Sequence, residues 1–105
     1  MDRELKKGLL DVCVLKVLDK EDSYGYKIIS DVSKYIEVSE STLYPVLKRL
    51  ENSNCVDTYK EEHNGRLRKY YKITPLGKIK LDEFKEENKK LKIVINFILG
   101  GGNKK

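Results

Sequence analysis

The Asn64-Gly65 dipeptide is the feature that most constrains how this chain of 105 residues can fold. Asn-Gly is a preferred two-residue loop of a β-hairpin, because both positions of that loop need a positive φ angle. Folding the chain back at this loop sets Val56 opposite Ile73 and Asp57 opposite Lys72. The same register gives four further pairs: Thr58 with Tyr71, Tyr59 with Tyr70, Lys60 with Lys69, and Glu61 with Arg68. The apolar pair falls on one face and the opposite-charge pairs on the other, so the sequence predicts a two-stranded ribbon in this register.

The end of this ribbon is cationic, and four of its residues are candidates for contact with an anionic partner: Lys60, Arg66, Arg68 and Lys69. Lys60 and Lys69 face each other, and directly opposed like charges destabilise a ribbon unless a polyanion lies nearby. Two flexible lysines that diverge into solvent explain the same pair equally well. For Arg68 the alternative to such a contact is an ion pair with Glu61.

A short amphipathic helix is predicted before the ribbon. Its apolar stripe recurs at i, i+3, i+4 and i+7 and consists of Leu43, Val46, Leu47 and Leu50. Ser39 stands at the N-cap position of this helix. Pro45 is unfavourable inside a helix, because it removes a backbone hydrogen bond and clashes with the preceding turn. The helix therefore either begins near Thr42 or has a bent first turn.

The other face of this helix is polar and basic. Its candidate contacts to nucleic acid are Ser39, Ser41, Thr42, Tyr44, Pro45, Lys48 and Arg49. Hydroxyl groups at a helix N-terminus can donate hydrogen bonds to phosphate oxygens. Ser39 can instead be a cap alone, and Tyr44 can be a half-buried ring that braces the motif. Of Lys48 and Arg49, one is expected to contact phosphate and the other to be solvated.

The first helix, predicted from Leu5 to Leu18, is apolar almost all the way round. A helix of that kind needs burial on two sides. One side is expected to cover the core of the domain, and the other to meet a second copy of the chain. The predicted dimer contacts on this helix are Leu9, Val12 and Cys13.

A second helix is predicted after the polar connector that includes Lys20 and Glu21, with Asp22 or Ser23 as its N-cap. Apolar residues at helical spacing carry it to Ile36; they are Tyr24, Ile28, Ile29, Val32 and Ile36.

The last helix is predicted to start at Thr74-Pro75, where proline is tolerated. Spacings of three and four residues give it a heptad seam that consists of Leu81, Phe84, Asn88, Leu91, Ile95 and Ile98. We expect this seam to pair with a second chain, with Asn88 fixing the register. The alternative is an ordinary amphipathic helix that packs on its own domain.

The predicted order is therefore three helices, two strands and one helix. This is an α+β fold, mostly α-helical: a winged helix-turn-helix of three helices and a two-stranded wing, with an additional C-terminal dimerisation helix. We assign residues 1–74 to the winged helix-turn-helix, 75–99 to the dimerisation helix and 100–105 to a disordered tail. A net charge of +5 and a pI near 9.1 favour an anionic partner such as double-stranded DNA.

Other classes of protein find little support in the sequence. Cys13 and Cys55 lie in apolar runs without metal-ligand spacing, which is typical of buried thiols in a reducing cytoplasm. His63 is the only histidine, and no nucleophile, base and acid recur together, so neither a metal site nor an enzyme is predicted. No cofactor is expected. The chain shows no signal peptide, and the apolar run from Ile93 to Leu99 is too short to span a bilayer.

Three segments give the chain a resemblance to the PadR family of transcriptional regulators, in the short branch with a single C-terminal helix. They are Tyr24-Gly25-Tyr26-Lys27-Ile28-Ile29 in the second helix, Ser41 to Glu51 in the third, and Gly65 to Thr74 with Gly77 in the ribbon and beyond. The chain departs from the usual pattern at Ser41, often glycine, and at Leu67, often proline. These local changes bear on DNA half-site preference and not on the fold.

The resemblance implies a homodimeric, cytoplasmic repressor that binds an inverted-repeat DNA operator. The third helix would enter the major groove, the wing would lie along the backbone, and the C-terminal helix would supply the dimer contact. Several relatives release DNA when a small aromatic effector binds near the dimer interface. In drug-binding relatives a tryptophan of the last helix stacks on the ligand, and this chain contains no tryptophan. The resemblance therefore does not imply drug sensing for this chain.

Two alternatives compete with a DNA-binding repressor. One is a dimeric winged-helix module that docks another protein without specific DNA readout. The other is a small-molecule receptor with a cavity between paired C-terminal helices, where the lining residues would be Leu91, Val94, Ile95 and Ile98. The same residues can equally be packed solid.

Overall fold

The computed structural model describes residues 1–101 and contains five helices and three strands. In chain order these are α1 (Arg3–Lys20), β1 (Ser23–Tyr24), α2 (Gly25–Val32), α3 (Glu40–Asn52), β2 (Val56–His63), β3 (Arg66–Ile73), α4 (Pro75–Glu87) and α5 (Lys89–Ile98). The predicted α+β, mostly helical class with a winged helix-turn-helix is confirmed. The predicted tail at 100–105 falls largely on residues 102–105, which lie outside the described residues.

α1 is the central helix of the core, which explains why its sequence is apolar on nearly every side. It packs on α2 and α3 on one side and on α4 on the other. Val14 and Leu15 of α1 are fully buried, and Val12 is buried together with Leu81 of α4. α4 of the same chain therefore covers the second apolar side of α1 at Val12, while Leu5 and Leu9 on that side stay partly or largely exposed.

The ribbon has the register predicted from the sequence: all six predicted pairs are present between β2 and β3. Asn64 has a φ angle of 53° and Gly65 one of 80°, as a two-residue loop of this kind requires. Tyr71 and Ile73 are buried, so the face of the ribbon that carries them packs against the helices.

β1 is a third strand that the sequence analysis did not predict. Ser23 and Tyr24 pair with Tyr71 and Tyr70 of β3, so the strand order is β1-β3-β2. The expectation that Asp22 or Ser23 caps the second helix is wrong. Tyr24 holds the N-cap position of α2, its extended backbone is paired with β3, and its side chain makes no capping hydrogen bond.

α2 and α3 also differ in detail from the prediction. α2 ends at Val32, although Ile36 beyond it is buried as its apolar character suggested. α3 begins at Glu40, so a start near Thr42 is wrong and Pro45 lies inside the helix. Ser39 occupies the N-cap position but makes no side-chain cap hydrogen bond. The one-residue gap in the backbone ladder at Pro45 is tolerated because the following turns of α3 are anchored by buried leucines.

The C-terminal region contains two helices where a single continuous helix was predicted. α4 begins with Pro75 after Thr74, whose hydroxyl accepts a hydrogen bond from the Gly77 amide at 3.0 Å. Between α4 and α5, Asn88 has φ −111° and ψ 9°, and its side-chain amide donates to the Phe84 carbonyl at 2.9 Å. An asparagine that bonds locally competes with the helical backbone, which explains the interruption.

α5 extends away from the rest of the molecule, and none of its residues is buried. The principal extents of 56 × 26 × 26 Å reflect this projection. No helix within residues 1–101 has the length and apolarity that crossing a membrane requires.

Candidate nucleic-acid interface

The N-terminal half of α3 presents hydroxyl groups to solvent. Burial of Leu43, Val46, Leu47 and Leu50 fixes the opposite face against the core. The Ser39 hydroxyl lies 3.0 Å from that of Ser41 and 3.2 Å from that of Thr42, and all three residues are at the surface. Hydroxyls that bond only to one another can exchange those bonds for phosphate or base acceptors, so this end of α3 is suited to polar contact with a ligand.

Tyr44 braces α2 against α3. A methyl group added at buried Gly25 would lie 2.5 Å from the Tyr44 hydroxyl oxygen, so the ring sits directly on the glycine. Tyr44 nevertheless keeps 44% of its surface exposed. The bracing role considered from the sequence is therefore present, and the open part of the ring remains available for contact.

The two cations that follow on α3 differ in their surroundings. The Arg49 guanidinium donates to the Asp11 carboxylate of α1 at 2.6 Å, which ties α3 to α1. Lys48 is exposed and forms no ion pair among residues 1–101. Lys48 is thus the cation of α3 whose charge is not already satisfied within the described chain, a distinction that sequence alone left open.

The four cations of the ribbon do not share one face. Lys60 and Lys69 lie on the same face of the ribbon as the buried Tyr71, the face on the side of α3. On that face the Lys69 ammonium is 3.6 Å from the carboxylate of Glu51. Arg66 and Arg68 lie on the other face of the ribbon. The predicted set is therefore divided between two faces of the ribbon, and the contact of Lys69 with α3 is in the last turn of that helix.

Arg68 is held by an aromatic ring. Its guanidinium carbon lies 3.9 Å from the centroid of the Tyr24 ring, a cation–π arrangement. Arg68 does not form the ion pair with Glu61 that the sequence also allowed. Arg66, beside the turn, is exposed, as is Leu67 next to it with 72% of its surface open.

Tyr24, Tyr59 and Tyr70 form an aromatic cluster on the face of the ribbon opposite the core. The pairing of Tyr59 with Tyr70 was predicted from the sequence, and the addition of Tyr24 was not. Tyr59 stacks on Tyr70 at 5.5 Å between centroids, and Tyr70 meets Tyr24 edge to face at 5.6 Å. The Tyr59 hydroxyl donates to the Asp22 carboxylate at 2.7 Å. This hydrogen bond is the main cause that raises the pKa of Tyr59 to about 12. The cluster fixes the ribbon to the loop between α1 and α2.

A second set of cations missed by the sequence analysis lies at the start of α1. A groove of about 360 Å³ separates this end of α1 from α3. Its lining residues are Arg3, Lys6, Lys7 and Leu10 of α1 with Thr42, Pro45, Val46 and Arg49 of α3. The signal was the i, i+3, i+4 spacing of the three α1 cations, which puts them on one side of the helix.

The predicted dimer contacts fall into two groups. Leu9, Val12, Cys13, Leu81 and Phe84 lie between α1 and α4, where Val12 and Leu81 are already buried in the single chain. Leu91, Ile95 and Ile98 are exposed on α5, and Asn88 stands at the helix interruption between the groups. The seam is thus not a continuous surface in one chain.

An open groove of about 410 Å³ runs between α1 and α4. Leu5, Leu9 and Phe84 contribute apolar surface to it, and its rim carries four acids, Glu4, Asp11, Glu83 and Glu87, with Lys80 as the single base. The groove therefore combines an apolar floor with a net negative rim.

No cluster of three or more His, Cys, Asp or Glu residues able to hold a metal ion occurs within residues 1–101. Cys55 is buried, and partial burial raises the pKa of the Cys13 thiol.

Comparison with known proteins gives a consistent result. The chain matches a family model described as the transcriptional regulator PadR-like family over residues 14–83. It is 28% identical over 100 residues to the transcriptional regulator Rv3488 of Mycobacterium tuberculosis, a match that covers 94% of this chain and 91% of that protein.

Two solved structures show the same fold. The PadR-like transcriptional regulator BC4206 of Bacillus cereus superposes with a TM-score of 0.82 at 32% identity, covering 93% of this chain and 98% of that chain. PadR of Bacillus subtilis, solved in complex with operator DNA, superposes with a TM-score of 0.67 at 25% identity over 72% of this chain and 46% of that chain.

Proposed function

The chain belongs to the PadR-like family of transcriptional regulators, the family predicted from its motifs, and we propose that it is a homodimeric, sequence-specific DNA-binding repressor that acts in the cytoplasm. The observation that carries the proposal is the exposed N-terminal half of α3, whose hydroxyl groups bond only to one another and are open to an incoming ligand. The operator complex of the Bacillus subtilis relative supports the same use of this fold.

In the proposed complex α3 enters the major groove with its N-terminal half. Ser41, Thr42 and the exposed part of Tyr44 would contact bases and phosphates, with Ser39 and Pro45 at the entry to the groove. Lys48 would neutralise a phosphate at the groove edge. Arg49 would contribute mainly by holding α3 against α1 through Asp11.

The ribbon would act as the wing that follows the DNA backbone. Lys60 and Lys69 share the side of α3, so both can approach the strand that α3 contacts. A phosphate between them would also relieve their mutual repulsion. Arg66 at the turn would reach furthest along the duplex, while Arg68 on the Tyr24 ring would contact DNA only at its edge.

A second copy of the chain is the occupant we propose for the exposed surface of α5. Seven apolar side chains of α5 and its C-cap are at least 43% exposed: Leu91, Ile93, Val94, Ile95, Phe97, Ile98 and Leu99. Lys89, Lys90 and Lys92 make α5 basic, with no acid in the helix. The acidic rim and apolar floor of the groove between α1 and α4 complement that helix in both charge and polarity. Each α5 would thus cover the groove of its partner.

A small aromatic effector is the ligand we propose for this interface. Phe84 and Leu9 line the groove under the incoming helix and offer a flat apolar surface to a ring. Binding there would shift α5 relative to the winged helix-turn-helix and change the spacing of the two recognition helices, which releases the operator.

The experiment that tests the DNA-binding proposal is selection of bound sequences from random duplex DNA across a series of salt concentrations. We expect an enriched inverted repeat with half-sites about one helical turn apart. A Ser41→Ala/Thr42→Ala variant should lose the enrichment and keep its fold and mass. If no sequence is enriched at any salt, the repressor proposal is wrong and a protein-docking module becomes the better description.

A further inference from the structure

We propose that the first two turns of α1 form a third DNA-contacting element, in which Arg3, Lys6 and Lys7 bind the phosphate strand next to the groove that α3 enters. This inference rests on the proposed DNA-binding function and adds a contact surface that neither α3 nor the wing includes. It is carried by the groove between the beginnings of α1 and α3.

The two helices bring their N-terminal ends to the same side of the molecule. Arg3, Lys6 and Lys7 share the groove with Thr42 and Pro45, the part of α3 that we propose enters the DNA. Further along both helices, the Arg49–Asp11 ion pair bonds them at 2.6 Å. A strand that contacts the hydroxyl end of α3 must therefore pass close to these three cations.

The packing fixes this arrangement. Leu10 of α1 and Val46 of α3 form the floor of the groove and are 2% and 4% exposed. The cations next to Leu10 are thus presented from a rigid helix, and ordering them on a ligand costs less entropy than ordering a flexible arm.

The charge of this surface is not cancelled by its neighbours. Arg3, Lys6 and Lys7 form no ion pair among residues 1–101. Asp2 uses its carboxylate to cap α1, accepting from the Leu5 amide at 3.1 Å. Glu4 lines the groove on the α4 side of the helix instead. Three positive charges against the single carboxylate of Asp2 leave the surface cationic.

The spacing of the cations also suits a nucleic-acid strand. Arg3 and Lys7 are four residues apart, which is about 6 Å along a helix axis. A DNA strand carries one phosphate per about 3.4 Å of helix axis, so this distance spans about two phosphates. A small anion would engage only one of these positions, which is why we favour the strand as the occupant.

The test compares Lys6→Gln/Lys7→Gln with Lys16→Gln/Lys20→Gln, a matched pair on the exposed far end of the same helix. Affinity for the selected operator and for a random duplex is measured across salt concentrations. Removing a cation that neutralises one phosphate should lower the slope of log K against log salt by about 0.9. Each protomer of the proposed dimer loses two such cations, four in all, so the Lys6/Lys7 variant should show a slope smaller by about 3.6 for both duplexes. This corresponds to a drop in affinity about 150-fold smaller between about 50 and about 200 mM salt. The control should keep the parent slope.

Several outcomes would overturn the inference. Equal slopes for parent and Lys6/Lys7 variant would show that α1 does not contact phosphate, even if the parent binds its operator tightly. Equal reductions of the slope in both variants would show that the effect comes from the net charge of the protein and not from a contact at the start of α1. Failure of the parent to bind any duplex would overturn the proposed function itself, which is a different result. Far-ultraviolet circular dichroism and the dimer mass check that each variant folds and assembles. Arg3→Gln, at the first and exposed residue of α1, provides a second variant with a minimal effect on folding.

Discussion

The hydroxyl of Tyr59 donates a 2.7 Å hydrogen bond to the carboxylate of Asp22, which connects the second strand to the loop between the first two helices. The pair spans 37 positions of sequence and lies on the face of the sheet opposite the core. Because Tyr59 also stacks on Tyr70, a change at Asp22 reaches the strand that carries Arg68.

This hydrogen bond predicts a pH dependence of stability at high pH. The folded-state pKa of Tyr59 is raised to about 12 from the ordinary value of 10.0, so the protonated side chain stabilises the folded state. That contribution is fully present below pH 10 and is lost as the pH rises towards 12. In Tyr59→Phe the part of this loss that is due to Tyr59 should be absent, while the part due to Tyr71, whose pKa burial also raises, should remain. Difference titration of tyrosinate absorbance between parent and variant gives the pKa directly, and a value at the ordinary tyrosine pKa would contradict the prediction.

Gly25→Ala should destabilise the protein, because the new methyl group would overlap the ring of Tyr44. The half-exposed Tyr44 side chain can move part of the way, so the cost should lie at the lower end of overpacking, about 1 kcal/mol in the free energy of unfolding, which urea titration measures. Gly8→Ala is the matched control: nothing lies within 4 Å of its added methyl group, and it should stabilise α1 by about 0.5–1 kcal/mol. Tyr44→Ala in the Gly25→Ala background should restore part of the stability. A Gly25→Ala variant as stable as Gly8→Ala would show that Tyr44 does not rest on α2.

The ribbon cations should differ in how they affect DNA binding. Lys60→Gln should lower the salt slope of operator binding by the proposed dimer by about 1.8, because Lys60 of each protomer lies on the α3 side and can neutralise one phosphate. Arg68→Gln should change that slope less, because its guanidinium rests on the Tyr24 ring, and should instead lower the melting temperature. Equal slope changes for the two variants would mean that the division of the ribbon into two faces does not apply on DNA.

Leu91→Ser/Ile95→Ser should convert the protein to a monomer without unfolding it. Both side chains are exposed in the single chain, at 51% and 43%, so truncating them leaves the core intact. Light scattering gives the mass, and circular dichroism of the winged helix-turn-helix gives the fold. Tyr35→Ser, at an 85% exposed aromatic in the turn after α2, is the control and should remain dimeric. A dimeric double variant would exclude α5 as the interface.

Asn88→Ala should join α4 and α5 into one longer helix. The asparagine interrupts the backbone by bonding to the Phe84 carbonyl, and alanine removes that bond and has the highest helix propensity. The expected result is a rise in mean helical ellipticity, with an altered separation of the two half-sites that the dimer selects. Unchanged ellipticity would show that the interruption is set by packing and not by Asn88.

The ribbon and the amphipathic face of α3 could be predicted because both depend on local rules. Asn64-Gly65 sets the register through turn geometry, and alternation along the strands then assigns each side chain to a face. α3 follows from the periodic stripe that begins at Leu43, and its start at Glu40 agrees with the N-cap position predicted for Ser39.

The features that were missed depend on contacts distant in sequence or on competing local bonds. β1 has two residues, too few for a detectable alternation, and it forms only because β3 offers a free edge. The pairing of Arg49 with Asp11 joins residues 38 positions apart. The heptad spacing continues through Asn88, so periodicity alone gave no sign that the helix stops there. The cations of α1 belong to the candidate surface only because packing sets them beside α3.

The exposure of every residue of α5 has a consequence for gene dosage. A helix of 10 residues is shorter than the roughly 12–15 that an isolated helix needs to persist in water. In the proposed dimer, ordering of α5 is therefore coupled to the encounter of two chains, and the free energy of folding depends on protein concentration. At low expression the population of assembled protein rises with the square of the chain concentration. Operator occupancy would then rise more steeply than in proportion to the expression level. The concentration at which it rises is set by the free energy of ordering α5 on its partner.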